Sequence, residues 1–181
     1  MLPRADLPHI PLILAVDVHY EGDWATAAGV LFEGWDACAA TQTALAHLAN
    51  VADYESGQFY KRELPGILAL LARLTAPPQV IVIDGYVCLG HSQKPGLGKH
   101  LFDALNGRMP IIGVAKTRYQ GTPTSAEVRR GRSQRPLYIT AVGLEQAAAK
   151  TAVQQMCGNG RLPRLLKQVD QLCRSQGDGH G

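Results

Sequence analysis

The sequence predicts an α/β fold in which a mixed sheet of five or six strands is covered by helices. Three observations predict it. Short continuous apolar runs, such as Pro11-Leu-Ile-Leu-Ala-Val16 and Val80-Ile-Val-Ile83, read as buried strands. The first three strand-like stretches are joined by little more than a polar turn, which suggests antiparallel neighbours. Beyond them, strand and helix patterns alternate, as they do when helices cross over a sheet.

The first strand is expected at about Leu12 to Val18. The next two are expected at about Ala25 to Phe32 and Ala37 to Leu45, separated by the turn Glu33-Gly-Trp-Asp36. A polar loop through Asp53-Tyr-Glu-Ser-Gly57 then leads to a helix opening at Glu63. Its apolar residues Leu64, Ile67, Leu68, Leu71 and Leu74 recur at spacings of three and four and give one buried face. Pro65 is tolerable in a first turn, where its missing N–H has no intrahelical partner. Pro77-Pro78 stops this helix. The strand ending at Asp84 follows, then a glycine-rich loop, a helix at about Leu97 to Leu105, the strand Ile111 to Ala115, a basic loop, the strand Leu137 to Val142 and two C-terminal helices. With no repeat and no linker, one domain over residues 1–181 is expected.

A hydrophobic content of 46% and a charged content of 18% are globular values, so a core needs neither disulfides nor a structural metal. Cys38, Cys88, Cys157 and Cys173 form no CxxC pair. They are expected as small core or boundary residues, not as a zinc site or a disulfide framework. No apolar run reaches a membrane span, and Met1 to Pro11 lacks a signal-peptide core, so a cytoplasmic protein is expected. The formal net charge is only +3, but Arg108, Lys116, Arg118, Arg129, Arg130, Arg132 and Arg135 face a single acid, Glu127, in their segment. Such a cluster reads either as a solvated loop or as a footprint for a polyanion.

Asp17 and Asp84 each end an apolar strand, and Glu63 opens an apolar helix. Alone, each reads as an ordinary turn or cap residue. Together, two aspartates from neighbouring strands and a glutamate from a helix across them would form an all-oxygen pocket suited to Mg²⁺ or Mn²⁺. The pair Gly96-Leu-Gly98 follows a strand and precedes a helix. It lacks the third glycine and the ribose-binding acid of a dinucleotide site.

Five segments, in order, resemble the endonuclease V family. Val16-Asp-Val-His-Tyr20 is similar to the family's first-strand motif. Tyr54-Glu-Ser-Gly-Gln-Phe-Tyr-Lys-Arg-Glu63 is similar to its Tyr-x-Pro-Gly-x-x-x-x-Arg-Glu segment. Val82-Ile-Asp-Gly85 is similar to the strand with the second aspartate, His91-Ser-Gln-Lys-Pro-Gly-Leu-Gly-Lys-His100 to the loop with two histidines, and Ile112-Gly-Val-Ala-Lys116 to the strand that delivers a lysine. Three departures stand out: Ser56 replaces the usual proline, one extra residue separates Asp84 from His91, and Gly143-Leu-Glu145 replaces a Gly-His-basic segment.

The resemblance implies a ribonuclease-H-like fold and a metal-dependent endonuclease of DNA repair that hydrolyses a phosphodiester near inosine in DNA or RNA. It implies Asp17, Glu63 and Asp84 as metal ligands, and these three with Lys116 as catalytic residues. Tyr54 would be the wedge that fills the space of a flipped base. Gly57, Gly96 and Leu97 would line the base pocket, and His91 and His100 would touch phosphate or order the loop. The basic segment at Arg129, Arg130 and Arg132 would hold the nucleic-acid backbone. The expected cofactor is Mg²⁺ or Mn²⁺ and the expected partner inosine-containing nucleic acid, with the chain a monomer away from membranes. Two other readings stay open: a nucleic-acid-binding homologue with weak or lost cleavage, suggested by Leu144 and Ser56, and a structure-selective nuclease of the same fold.

Overall fold

The computed structural model describes residues 9–49, 51, 55–56 and 58–175. Its strands and helices are β1 (Leu12–Glu21), β2 (Trp24–Glu33), β3 (Gln42–Ala49), α1 (Tyr60–Leu71), β4 (Val80–Asp84), β5 (Cys88–Leu89), β6 (Lys94–Pro95), α2 (Leu97–Ala104), β7 (Ile111–Ala115), β8 (Glu127–Val128), β9 (Leu137–Val142), α3 (Gln146–Gln155) and α4 (Arg164–Arg174). The main sheet has seven strands in the order β3-β2-β1-β4-β7-β9-β8, and β5 and β6 form a separate small hairpin. β1, β2 and β3 pair antiparallel, β1, β4 and β7 pair parallel, and β9 closes antiparallel on β7. This is the expected meander followed by crossovers, with one strand more than expected. The additional strand, β8, is two residues long and lies in the basic segment, too short to leave a periodic signal.

The central strands read as continuous apolar runs because both of their faces are buried, and alternation sorts their residues between two cores. Leu14 and Val16 of β1, Ile81 and Ile83 of β4 and Ile111 of β7 pack with Ile67 and Leu70 of α1 and Leu101 of α2. Ile13, Ala15, Val82, Ile112 and Val114 point the other way, onto Ala149 and Val153 of α3 and Leu165, Leu166 and Val169 of α4. The sheet is therefore sandwiched, with α1 and α2 on one face and α3 and α4 on the other. Among the described residues no helix is long and apolar enough to cross a membrane.

Three expectations need correction. The third strand starts at Gln42, not Ala37, because Ala37 to Thr41 form the connection from β2. Helix α1 begins at Tyr60, which puts Glu63 within its first turn but Pro65 beyond it, where the Lys61 carbonyl loses its usual partner. Finally, Cys38 and Cys157 form a disulfide with Cα atoms 5.2 Å apart and a sequence separation of 119, while Cys88 and Cys173 remain free. The bond ties the β2–β3 connection to the loop between α3 and α4.

Candidate active site

The alternation that builds the α3/α4 core also aims the functional side chains. Asp17 continues the Ile13, Ala15 series of β1, Asp84 follows Val82 in β4, and Lys116 follows Ile112 and Val114 immediately past β7. All three side chains border one narrow crevice, together with Leu162 and with Leu166 and Val169 of α4. Asp84 does end its strand, as expected, whereas Asp17 lies in the middle of β1. β4 pairs with β1 only as far as Ile83 opposite Val16, so the crevice opens at Asp17 all the same. The turn after Asp84 folds closely over β7. A Cβ on Gly113 would sit 2.5 Å from the Gly85 carbonyl oxygen and 2.9 Å from the Val87 nitrogen, so only glycine fits there.

A residue outside the sequence expectations completes the group. Asp170 of α4 brings a carboxylate oxygen to the site, so that oxygens of Asp17, Asp84 and Asp170 lie within 4.8 Å of one another. Lys116 Nζ donates to Asp84 Oδ2 at 2.6 Å and stands 4.0 Å from Asp170 Oδ1, and Arg174 Nε donates to Asp170 Oδ1 at 3.1 Å. The Val18 N–H donates to Asp17 Oδ1 at 2.8 Å. A signal for Asp170 existed in the sequence. It is the sole acid of a basic helix and adjoins the apolar stripe Leu165, Leu166, Val169 and Cys173.

Crowding shows in the ionisation of these groups. Burial, then the charge of Asp84, pushes Asp17 up to about 7, with the hydrogen bond from Val18 acting in the opposite sense. Asp170 lies below the usual carboxylate range, because Arg174, Asp17 and Lys116 outweigh the effect of its burial. Burial opposes the charge on Lys116, but its hydrogen bond to Asp84 and the charges of Asp84, Asp17 and Asp170 win and raise it.

Glu63 is 7% exposed and lines a second narrow crevice with Asp17, Val18, Asp84 and Leu97. It therefore faces the two aspartates from the α1 side, but the tight carboxylate group is made with Asp170, not with Glu63. Burial, followed by the charges of Asp17 and Asp84, pushes Glu63 well above the ordinary range, against the pull of Arg62. Arg62 itself lies over the Tyr20 ring, 4.3 Å from its centroid.

The other expected residues divide. Tyr54 and Gly57 lie outside the described residues. Leu97 borders the Glu63 crevice, and Gly96 caps α2 so tightly that a Cβ would meet the Tyr86 carbonyl oxygen at 2.7 Å. His100 stacks on Tyr60, with ring centroids 3.5 Å apart, and burial lowers its pKa. His91 is exposed between β5 and β6. Arg129 and Arg132 are exposed and line a cleft of about 700 Å³ with Gln154, Gly158 and Asn159. Arg130 lines the same cleft but differs from its neighbours in burial. It is buried, and its guanidinium donates to the carbonyl oxygens of Gly160 at 2.9 Å, Gly158 at 3.2 Å and Met156, which makes it a structural clamp. Leu144, at the position of the absent histidine, packs half-buried against the α3/α4 core.

Residues 3–148 match the family model for Endonuclease V. Endonuclease V of Streptomyces coelicolor is 32% identical over 188 residues, spanning 90% of this chain and 78% of that protein. The crystal structure of endonuclease V from Streptomyces avermitilis superposes with a TM-score of 0.75 at 28% identity, covering 94% of this chain and 83% of that one. Endonuclease V of Ciona intestinalis, solved in complex with a 23mer DNA containing an inosine followed by a ribo-adenosine, shares the fold. Its TM-score is 0.76 at 19% identity, over 94% of this chain and 86% of that one.

Proposed function

The chain belongs to the endonuclease V family, and on that premise we propose that it is a Mg²⁺- or Mn²⁺-dependent endonuclease that hydrolyses a phosphodiester near inosine in DNA or RNA. The observation that carries this reading is the meeting of Asp17, Asp84 and Asp170 within 4.8 Å, with Lys116 hydrogen-bonded to Asp84. Burial, and then the charge of Asp84, raises the pKa of Asp17, so the ionised group calls for a compensating positive charge. A hard divalent cation suits such an all-oxygen donor set. When bound, it would draw charge from a phosphoryl oxygen and make a nucleophilic water easier to deprotonate near neutral pH.

The chain's own residues have separable roles in this reading. Asp17 and Asp84, with Asp170, hold the cation. Glu63, buried on the α1 side with its pKa raised by that burial, orients the attacking water from across the crevice. Lys116 offsets charge that builds on the phosphate during cleavage. Gly96 and Leu97 border the place of the extruded base, with Tyr54 filling the gap it leaves, and Arg129 and Arg132 attract the backbone phosphates.

The test is nicking of an inosine-containing oligonucleotide with Mg²⁺ or Mn²⁺, with a chelator control and an undamaged strand. Metal-dependent cleavage at the inosine strand alone supports the reading. Tight binding without cleavage would favour a nucleic-acid-binding homologue, and preference for a branched substrate would favour a structure-selective nuclease.

A further inference from the structure

The loop between α3 and α4 is fixed from two sides. The Cys38–Cys157 disulfide anchors its start, and the Arg130 guanidinium gathers the Met156, Gly158 and Gly160 carbonyls. From within this anchored loop, Arg161 reaches across to two strand ends. Its Nε donates to the Arg135 carbonyl oxygen at 3.1 Å, and its Nη2 donates to the Pro136 carbonyl oxygen at 2.8 Å and to that of Lys116. The sheet ladder has stopped at this point. Ala115 opposite Tyr138 is the last pair between β7 and β9, so the carbonyls of Lys116 and Pro136 are no longer served by it.

We propose that Arg161 is a positioning residue for the reaction: it fixes the backbone of Lys116, and so the reach of that ammonium to Asp84, and couples it to the helix that carries Asp170. The inference rests on the nuclease reading given above. A lysine side chain is a flexible four-carbon stem, so the place of its charge depends on a fixed backbone. Arg161 supplies that fixity with a planar fork that serves three carbonyls from two segments, a rigid spread of donors that the compact ammonium of a lysine lacks. Leu162 borders the crevice beside Asp17, Asp84 and Lys116, and Pro163 is the N-cap of α4, so the same short stretch sets both the lysine and the third carboxylate.

The experiment is a double-mutant cycle on inosine-strand cleavage with Arg161→Gln, Arg161→Lys, Lys116→Gln and the double variant Arg161→Gln/Lys116→Gln. Misplacement of a reacting group by about 1 Å can cost on the order of 100-fold in rate. Arg161→Gln should lower kcat toward that extent with KM little changed, Arg161→Lys should fall between it and the wild type, and Arg161→Gln should cost nothing further once Lys116 is gone. Arg161→Lys at wild-type kcat would overturn the proposal. So would an equal loss in the Lys116→Gln background, which marks a general structural effect, or a salt-sensitive rise in KM alone, which marks direct phosphate binding. Should the wild-type protein not nick, the nuclease reading fails, and crystal structures of the wild type and Arg161→Lys decide the positioning claim. Retention of the 2.6 Å Lys116–Asp84 contact in that variant would overturn it, and loss would support it.

Discussion

Lys116 and Asp84, 32 residues apart, meet at 2.6 Å because Asp84 ends β4 and Lys116 follows its parallel neighbour β7. This ammonium stands among three carboxylates and partly balances them, in the space where a divalent cation would also be attracted. Removing it should therefore separate metal binding from catalysis. Lys116→Gln should slow cleavage of the inosine strand by on the order of 100-fold, the low end of the range for one lost electrostatic stabiliser. Its affinity for Mn²⁺, read by calorimetry, should be equal or higher. A marked loss of Mn²⁺ affinity would show that Lys116 organises the metal site.

Asp17→Asn, Asp84→Asn and Asp170→Asn keep shape but remove the charge a hard cation requires. Each should reduce cleavage on the order of 10³-fold, equivalent to several kcal/mol of lost stabilisation. Binding of the inosine strand in Ca²⁺ should be largely kept. Near-normal turnover of Asp170→Asn would leave α4 outside the mechanism.

The raised pKa of Asp17, about 7 against an ordinary 3.8, fixes the sign of a pH effect. A carboxyl raised in the folded state binds more protons folded than unfolded, so its contribution to stability falls as pH climbs from 3.8 toward 7. Bound metal needs the ionised carboxylate and offsets that loss. The gain in Tm on adding Mn²⁺ should thus be larger near about pH 8 than near about pH 5.5. A gain that shrinks with rising pH would contradict the assignment of Asp17 as a ligand.

The basic segment should split by burial. Arg129→Ala and Arg132→Ala should weaken binding to all strands alike and reduce the salt slope by roughly one unit each. Arg130→Ala should instead lower thermal stability, because it strips buried carbonyls of their donors at about 1 to 3 kcal/mol for each unsatisfied group. Unchanged melting of Arg130→Ala would refute the clamp.

Tyr54→Ala tests base flipping. Discrimination between inosine-containing and undamaged strands should drop by about 1 to 3 kcal/mol, the stacking contribution of one aromatic side chain. Mn²⁺ binding should not change. An intact inosine preference would make a structure-selective nuclease the better account.

The elements that were legible in the sequence are those whose signal is local. The runs ending near Asp17 and Asp84 show as strands because burial on both faces makes them continuously apolar, and the motif order carries Glu63 and Lys116 with them. What escaped depends on contacts between distant segments. Asp170 sits one turn from the end of a helix with no motif spacing to Asp17, Cys38 finds Cys157 across most of the chain, and Arg130 looks like any other arginine of a basic run until the carbonyls around it are seen. The third strand was misplaced because its alanine-rich sequence lacks a clear alternation, and as an edge strand it is half exposed.

The Cys38–Cys157 bond turns a linear chain into a ring with two tails. Glu63, Asp84 and Lys116 belong to the ring, Asp17 to the leading tail and Asp170 to the trailing one. A protease that cuts anywhere inside the ring leaves every one of these residues on a single covalent molecule. A cut in the short Gly158–Gly160 stretch, just outside it, would free α4 and take the third carboxylate away.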